Sequence, residues 1–280
     1  MRVHHYIKNL LVFLPLIFSI QFFNKDLLIN SIIGFISFST LASVIYIIND
    51  IMDVESDRKH IKKKERPIAS GQVKIGEAIC LAIILLTITV LLNVYLKVNA
   101  LAIIILVVYL VMNILYSSIL KHLPIIDITI LAFGFFLRVL YGAQIVDIAI
   151  SNWLYITILS LSFYMGLGKR RNEYKKIGTK GRKVLQYYNE TFLTSNLYMF
   201  MGLGIVFYSL WSLDMTKTLT NGMNMVWTIP LVLIICMKYS LDIESDSLGD
   251  PVDVILSDKI LILLVILYCS IMFAILYVIK

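Results

Sequence analysis

Nine nearly unbroken apolar stretches, at about 9–24, 28–51, 76–96, 99–119, 125–146, 151–170, 192–212, 226–243 and 257–279, constrain this chain more than any other feature. Several reach the ~20 residues that a helix needs to cross the hydrocarbon of a bilayer. None alternates as a strand would, and lipid offers no partner to unpaired backbone. The expected fold class is therefore all-α, a polytopic bundle of nine transmembrane helices. The composition agrees: of 280 residues, 59% are hydrophobic and 15% charged, with a mean hydropathy of +0.86. Soluble domains are roughly 45–50% apolar and about 25% charged, so lipid has to act as solvent here. One integral domain, 1–280, is expected, without a linker or low-complexity tract.

The polar connections 52–75 and 171–191 interrupt the apolar rhythm. The first holds seven cations from Arg58 to Lys74, among them Lys59, Lys62 and Arg66. The second, with the helix end before it, holds eight from Lys169 to Lys183, among them Lys180. Nine spans with a cytoplasmic N-terminus put both connections inside, beside Lys8 and Lys121, and leave Lys25, Lys97 and Lys217 opposite. The net charge of +7 is thus a topology signal and a source of phosphate ligands. It points to a plasma membrane protein rather than to a nucleic-acid partner. Cys80, Cys236 and Cys269 lie inside apolar runs, without metal or disulfide spacing, and read as small hydrophobes.

The chemistry concentrates where the second run ends, at Asn49-Asp50-Ile51-Met52-Asp53-Val54-Glu55-Ser56-Asp57. With Asn49 as zero and about 100° per residue, Asp53 falls near ~40°, Asp57 near ~80° and Asp50 near ~100°. One narrow face thus carries an amide and three carboxylates, while Glu55 points away. Such acids repel one another and are costly beside lipid, so they call for a cation. Oxygen-only ligands suit Mg²⁺, which keeps coordination sites for substrate phosphate. The bland alternative is a solvated helix end whose acids pair with Arg58 or Lys62. Arg66, fixed beside Pro67 in the following basic loop, is suited to clamp a multiply charged phosphate.

Asn49-Asp50-x-x-Asp53-x-x-x-Asp57 followed by Arg66-Pro67-Ile68-Ala69-Ser70-Gly71 resembles the first signature of the UbiA superfamily of intramembrane prenyltransferases. That resemblance implies nine helices around a central cavity open to the membrane, and the use of Mg²⁺. Tyr116-Ser117 with Lys121 and Asp127 resembles the family's stretch between spans four and five. The family usually has a second aspartate-rich motif after span six, which holds another Mg²⁺ on a prenyl diphosphate. Here that place reads Gly166-Leu167-Gly168-Lys169-Arg170-Arg171-Asn172-Glu173-Tyr174. Base replaces acid, which repels a metal and attracts a free phosphate oxyanion.

That exchange resembles the decaprenyl-phosphate phosphoribosyltransferase branch of the superfamily. Arg2 and Tyr6-x-Lys8-Asn9, Arg138-x-x-x-Gly142, Tyr187-Tyr188 and Asp250-Pro251-x-Asp253 agree with it. Val3 and His5 depart from the Pro and Gln expected there, as does Asp253 from the more usual Glu. The resemblance implies transfer of 5-phosphoribosyl from phosphoribosyl pyrophosphate to a polyprenyl phosphate, with release of pyrophosphate. Asn49, Asp50, Asp53 and Asp57 are then the metal ligands, and Asp50, Asp53, Lys169 and Arg170 the catalytic residues. Substrate contacts are expected from Lys8, Asn9, Asn49, Arg66, Tyr116, Lys121, Asp127, Arg138, Lys169, Arg170, Glu173 and Tyr188. Arg138 has a second reading, an internal salt bridge to Asp127 or Glu173. Two rival functions stand beside this one. A prenyltransferase would move a prenyl group from its diphosphate to an aromatic or other acceptor, and an ion-coupled transporter would catalyse nothing.

Overall fold

The computed structural model describes residues 3–58, 63–178, 182–219, 224–244 and 250–278. Arg2, Lys59, Lys62 and Lys180 lie outside that set. Among the described residues every regular element is helical. A 3₁₀ segment, Val3–Phe13, runs into α1 (Leu14–Phe18). The helices α2 (Lys25–Met52), α3 (Val54–Arg58), α4 (Ile75–Tyr95), α5 (Ala100–Ser118) and α6 (Ile126–Val146) follow. The second half holds α7 (Asn152–Ile177), α8 (Glu190–Thr218), α9 (Ile229–Glu244), α10 (Pro251–Ser257) and α11 (Lys259–Phe273).

Seven helical stretches among the described residues are long and apolar enough to cross a membrane. The two expected spans outside that number have physical reasons to differ. The first run forms a shorter helix that stops at Phe18, where Ile20 takes a positive φ of 61°. The sixth, α7, has 26 residues, but its last turns carry five cations and lower its mean hydropathy. With seven apolar helices and their exposed Ile, Leu and Val side chains, the protein is membrane-embedded.

The chain forms two compact units. The first comprises 1–121 and 137–149, the second 122–136 and 150–280, so α6 contributes its N-terminal half to the second and its C-terminal half to the first. In the first unit α2 is the central helix, with the N-terminal 3₁₀ segment, α4 and α5 packed on it. Its buried face carries four serines, with Gly34 and Ala42, and small residues let backbones approach closely in lipid. Its hydroxyls are also used: Ser39 accepts from Asn9 (2.9 Å), Ser43 bonds Tyr6 (2.6 Å), and Ser37 takes bonds from Asn93 (2.7 Å) and Tyr141 (3.1 Å). Gly142 serves the same closeness on α6, because a Cβ there would run into the backbone carbonyl of Val12.

In the second unit α7 lies along α8, and both meet α9 around Tyr164, Leu167, Leu193, Leu197 and Ile243. Gly168 admits α9, since a Cβ would come within 2.5 Å of Ile243 Cδ1. Asn24, Asn99, Asn189, Asp250 and Asp258 cap α2, α5, α8, α10 and α11 with side-chain oxygens. Each such cap is worth about 1 kcal/mol. The three cysteines are free thiols, but Cys80 and Cys269 stand on the exposed surface. For them the outward apolar surface, not a protein core, is the environment.

Candidate functional site

In the first unit the acidic stripe is laid out nearly as its periodicity predicts, with one break. α2 ends at Met52, Asp53 forms its C-cap, and α3 resumes at Val54. The succession survives the break, because Asp53 N bonds Asn49 O (2.9 Å) and Asp57 N bonds Asp53 O (2.8 Å). Asn49, Asp53 and Asp57 therefore still step along one face, and Glu55 is exposed.

Each acid has a cation against it. Arg66 Nη1 lies 3.2 Å from Asp50 Oδ1 and 2.5 Å from Asp57 Oδ2. Asp57 is only 2% exposed, and that guanidinium is the partner that compensates its burial. Lys121 Nζ lies 3.3 Å from Asp53 Oδ1, and Ser117 donates to Asn49 Oδ1. Arg58 makes no ion pair to these acids among the described residues, its Nε donating to Ala69 O (3.2 Å); Lys62, the other partner of the solvated-end reading, lies outside the described residues. Gly71 completes the turn after Arg66 with a φ of 80°, open to glycine and strained for other residues.

Among the described residues no three His, Cys, Asp or Glu side chains gather closely enough to hold a metal ion. The stripe is arranged around Arg66 and Lys121. The donor set nonetheless fits Mg²⁺: all its atoms are oxygens, and carboxylates of Asp50 and Asp57 already reach one common nitrogen.

In the second unit the sequence places Lys169 and Arg170 side by side on a phosphate, and the structure separates them. Arg170 is 0% exposed, with Nε 2.5 Å from Asp127 Oδ2 and Nη1 2.7 Å from Glu173 Oε2. Asp127, also fully buried in the first turn of α6, accepts from Tyr188 Oη at 2.5 Å. That hydroxyl in turn accepts from Ile125 N at 2.6 Å, and the Tyr188 ring stacks on Phe192. Burial, and next its bond to the Asp127 carboxylate, push the Tyr188 phenol well above its usual range. Burial alone would raise Glu173, but Arg170, Arg182 and Lys169 outweigh it and hold the carboxyl below its ordinary value. Asp127, Arg170, Glu173 and Tyr188 thus form a hydrogen-bonded brace inside the protein.

Lys169 is different. It is 22% exposed and its Nζ lies 3.1 Å from Asp250 Oδ2. The next cations turn to protein: Arg171 and Lys175 both reach Glu244, and Arg171 Nε donates to Thr194 (2.8 Å).

Arg138, in the first-unit half of α6, is 5% exposed and lies against the adjoining rings of Phe38 and Tyr109, 5.1 Å from each centroid. It donates to Asn9 Oδ1 (2.7 Å) and Tyr109 Oη (2.9 Å), while Asp127 and Glu173 both engage Arg170. Asn9 is buried, so Asn9 and Arg138 join the N-terminal segment to α2, α5 and α6. Lys8 and Tyr116 are half-buried. Ser117, Tyr109 and Asp250 were not singled out from the sequence as site residues. Ser117 and Asp250 sit within motifs quoted above, whereas nothing local marks Tyr109.

Comparison with known proteins supplies a frame for this geometry. The UbiA prenyltransferase family model matches residues 12–250. A decaprenyl-phosphate phosphoribosyltransferase of Corynebacterium glutamicum is 31% identical, over 97% of this chain and 84% of its own. Its namesake in Mycolicibacterium smegmatis is 30% identical, over 93% and 86%. Among solved structures, a UbiA homolog from Archaeoglobus fulgidus bound to DMAPP and Mg²⁺ is similar in fold. Its TM-score is 0.72 at 18% identity, covering 99% of this chain and 97% of that one.

Proposed function

This chain belongs to the UbiA prenyltransferase family, and we propose that within it the chain moves 5-phosphoribosyl from phosphoribosyl pyrophosphate to a polyprenyl phosphate. The bond between the anomeric carbon and the pyrophosphate oxygen breaks, and pyrophosphate leaves with the electron pair. A new bond joins that carbon to an oxygen of the lipid phosphate. The nucleophile is already an anion, so no general base is needed, and catalysis rests on position and charge.

In the first unit Asn49, Asp50, Asp53 and Asp57 would hold Mg²⁺. Bound there, Mg²⁺ neutralises the diphosphate and stabilises charge on the leaving oxygens. Arg66 and Lys121, which pair with the stripe's carboxylates, would turn to phosphate oxygens of the bound donor. Lys8 and Tyr116 add substrate contacts. In the second unit Lys169 leaves Asp250 for the acceptor phosphate, and Arg170 acts one step back as a positioning residue. Asp127, Glu173 and Tyr188 hold Arg170 and keep the α7 end in place. Arg138 and Asn9 do the same for the segment that carries Lys8. Both units serve one transferase domain, in the plasma membrane with the two polar loops cytoplasmic.

The observation that carries this reading is the partly exposed lysine, Lys169, where the family's second acidic motif is expected. A metal-bound prenyl diphosphate would need carboxylates there, whereas a free phosphate monoester needs a cation. The named relatives support the same assignment. The test incubates purified protein with labelled phosphoribosyl pyrophosphate and polyprenyl phosphate, and separately with labelled prenyl diphosphate and 4-hydroxybenzoate. Labelled lipid in the first mixture only is expected. Product in the second mixture only would replace this reading with aromatic prenylation.

A further inference from the structure

Two consecutive helices joined by a tight turn usually form a packed hairpin. α4 and α5 scarcely touch: each leans on α2, and a groove opens between them. It encloses about 300 Å³, at the lower end of the roughly 300–1,000 Å³ typical of ligand pockets. Leu41, Thr89, Asn93 and Leu106 are buried and form its floor, while Val90, Val94, Ile103 and Val107 are exposed along its rims.

The two polar residues of the floor are already engaged. Thr89 bonds Leu85 O (2.9 Å) and Thr40 (2.8 Å), and Asn93 bonds Ser37, the Thr89 carbonyl and Tyr141. The occupant within the groove is therefore apolar. At the turn end stands Lys97, exposed, with a φ of 50° and no ion pair among the described residues. An apolar trough closed by a cation fits an amphiphile with an anionic head.

We infer that this groove binds an anionic glycerophospholipid of the bilayer, one acyl chain between α4 and α5 and the phosphate at Lys97. Lysine beside a membrane surface attracts such headgroups, and its stem lies along apolar surface while the ammonium reaches the polar layer. The site is separate from the chemistry. The 21 residues of α4 place the Lys97 turn roughly 30 Å from the helix end near the acidic stripe. A phosphate at Lys97 is thus not the reacting one. The bound lipid would splint α4 to α5 in place of the missing helix contact. This inference stands independently of the transferase reading.

The experiment measures lipid retention on the full chain by native mass spectrometry, after equilibration with equal dioleoyl phosphatidylglycerol and dioleoyl phosphatidylcholine. Wild type is expected to retain phosphatidylglycerol about five-fold better, the ratio one lysine–headgroup attraction gives. Lys97→Gln should bring the two lipids level, and Val94→Trp, which fills the groove, should reduce both. Equal retention by wild type, or unchanged selectivity in Lys97→Gln, overturns the proposal. So does undiminished retention in Val94→Trp. Displacement of phosphatidylglycerol by stoichiometric polyprenyl phosphate also overturns it, by making the groove a seat for the acceptor's tail.

Discussion

Replacing Arg170 by methionine should damage stability before it touches any substrate. Methionine keeps much of the volume and removes the charge. Two carboxylates are then left against an apolar chain, Asp127 at 0% exposure and Glu173 largely covered. Removing one partner of a buried ion pair costs about 3–5 kcal/mol, because the other charge stays behind uncompensated. In a two-state chain of this size each kcal/mol moves the midpoint by about 2–4 °C, so a fall of roughly 6–20 °C is expected. The double variant Arg170→Met/Asp127→Asn removes both charges and should recover a good part of that loss, because contacting residues are not additive. Thermal unfolding in a mild detergent, followed by tryptophan fluorescence, reads both. A drop below about 2 °C for the single variant, or a double variant no better than additive, would refute the brace.

Lys169→Met should behave in the opposite way. Its pair with Asp250 is partly exposed, where ion pairs contribute about 0–1 kcal/mol, so the unfolding midpoint should hardly move. Transfer should fall by roughly 10²–10³, with the KM for polyprenyl phosphate raised and that for phosphoribosyl pyrophosphate little changed. A variant with normal turnover would remove Lys169 from the site. Glu173 predicts a pH signature. Its folded carboxyl titrates below the ordinary value of 4.5, so its stabilisation is complete above that value. It is lost as the pH falls below 4.5 through the depressed folded value. Unfolding midpoints of wild type and Glu173→Gln should therefore converge on acidification; parallel profiles between pH 6 and 3 would count against it.

Much of this architecture is legible in the sequence because lipid makes hydropathy nearly sufficient. The runs at 28–51, 76–96 and 125–146 became α2, α4 and α6 within a few residues. The 3.6-residue period also ordered Asn49, Asp53 and Asp57 despite the break at Asp53, because the backbone bonds continue through it. What hydropathy cannot see is how far a helix outlasts its apolar part. α7 continues to Ile177 through its basic turns because they find partners on α8 and α9.

Side-chain partners were readable only where local. Arg170 and Glu173 are three residues apart on one helix, so their pairing follows from spacing. The Asp127 that completes the brace is 43 positions away, and no periodicity points to it. Arg138 is the sharpest case. An intramembrane arginine suggests a carboxylate or a phosphate, yet its aromatic neighbours Phe38 and Tyr109 and the amide of Asn9 come from three distant segments. Composition carries no record of such a meeting.

The most direct test asks whether the stripe holds a metal-bound diphosphate. Mn²⁺ can stand in for Mg²⁺, and its paramagnetic signal reports the bound ion in the presence of phosphoribosyl pyrophosphate. Wild type and Lys169→Met should both bind the Mn²⁺–diphosphate pair, while Asp50→Asn and Asp53→Asn, folded to the same midpoint, should lose it at least ten-fold. Undiminished binding in the two aspartate variants would contradict the account at its root.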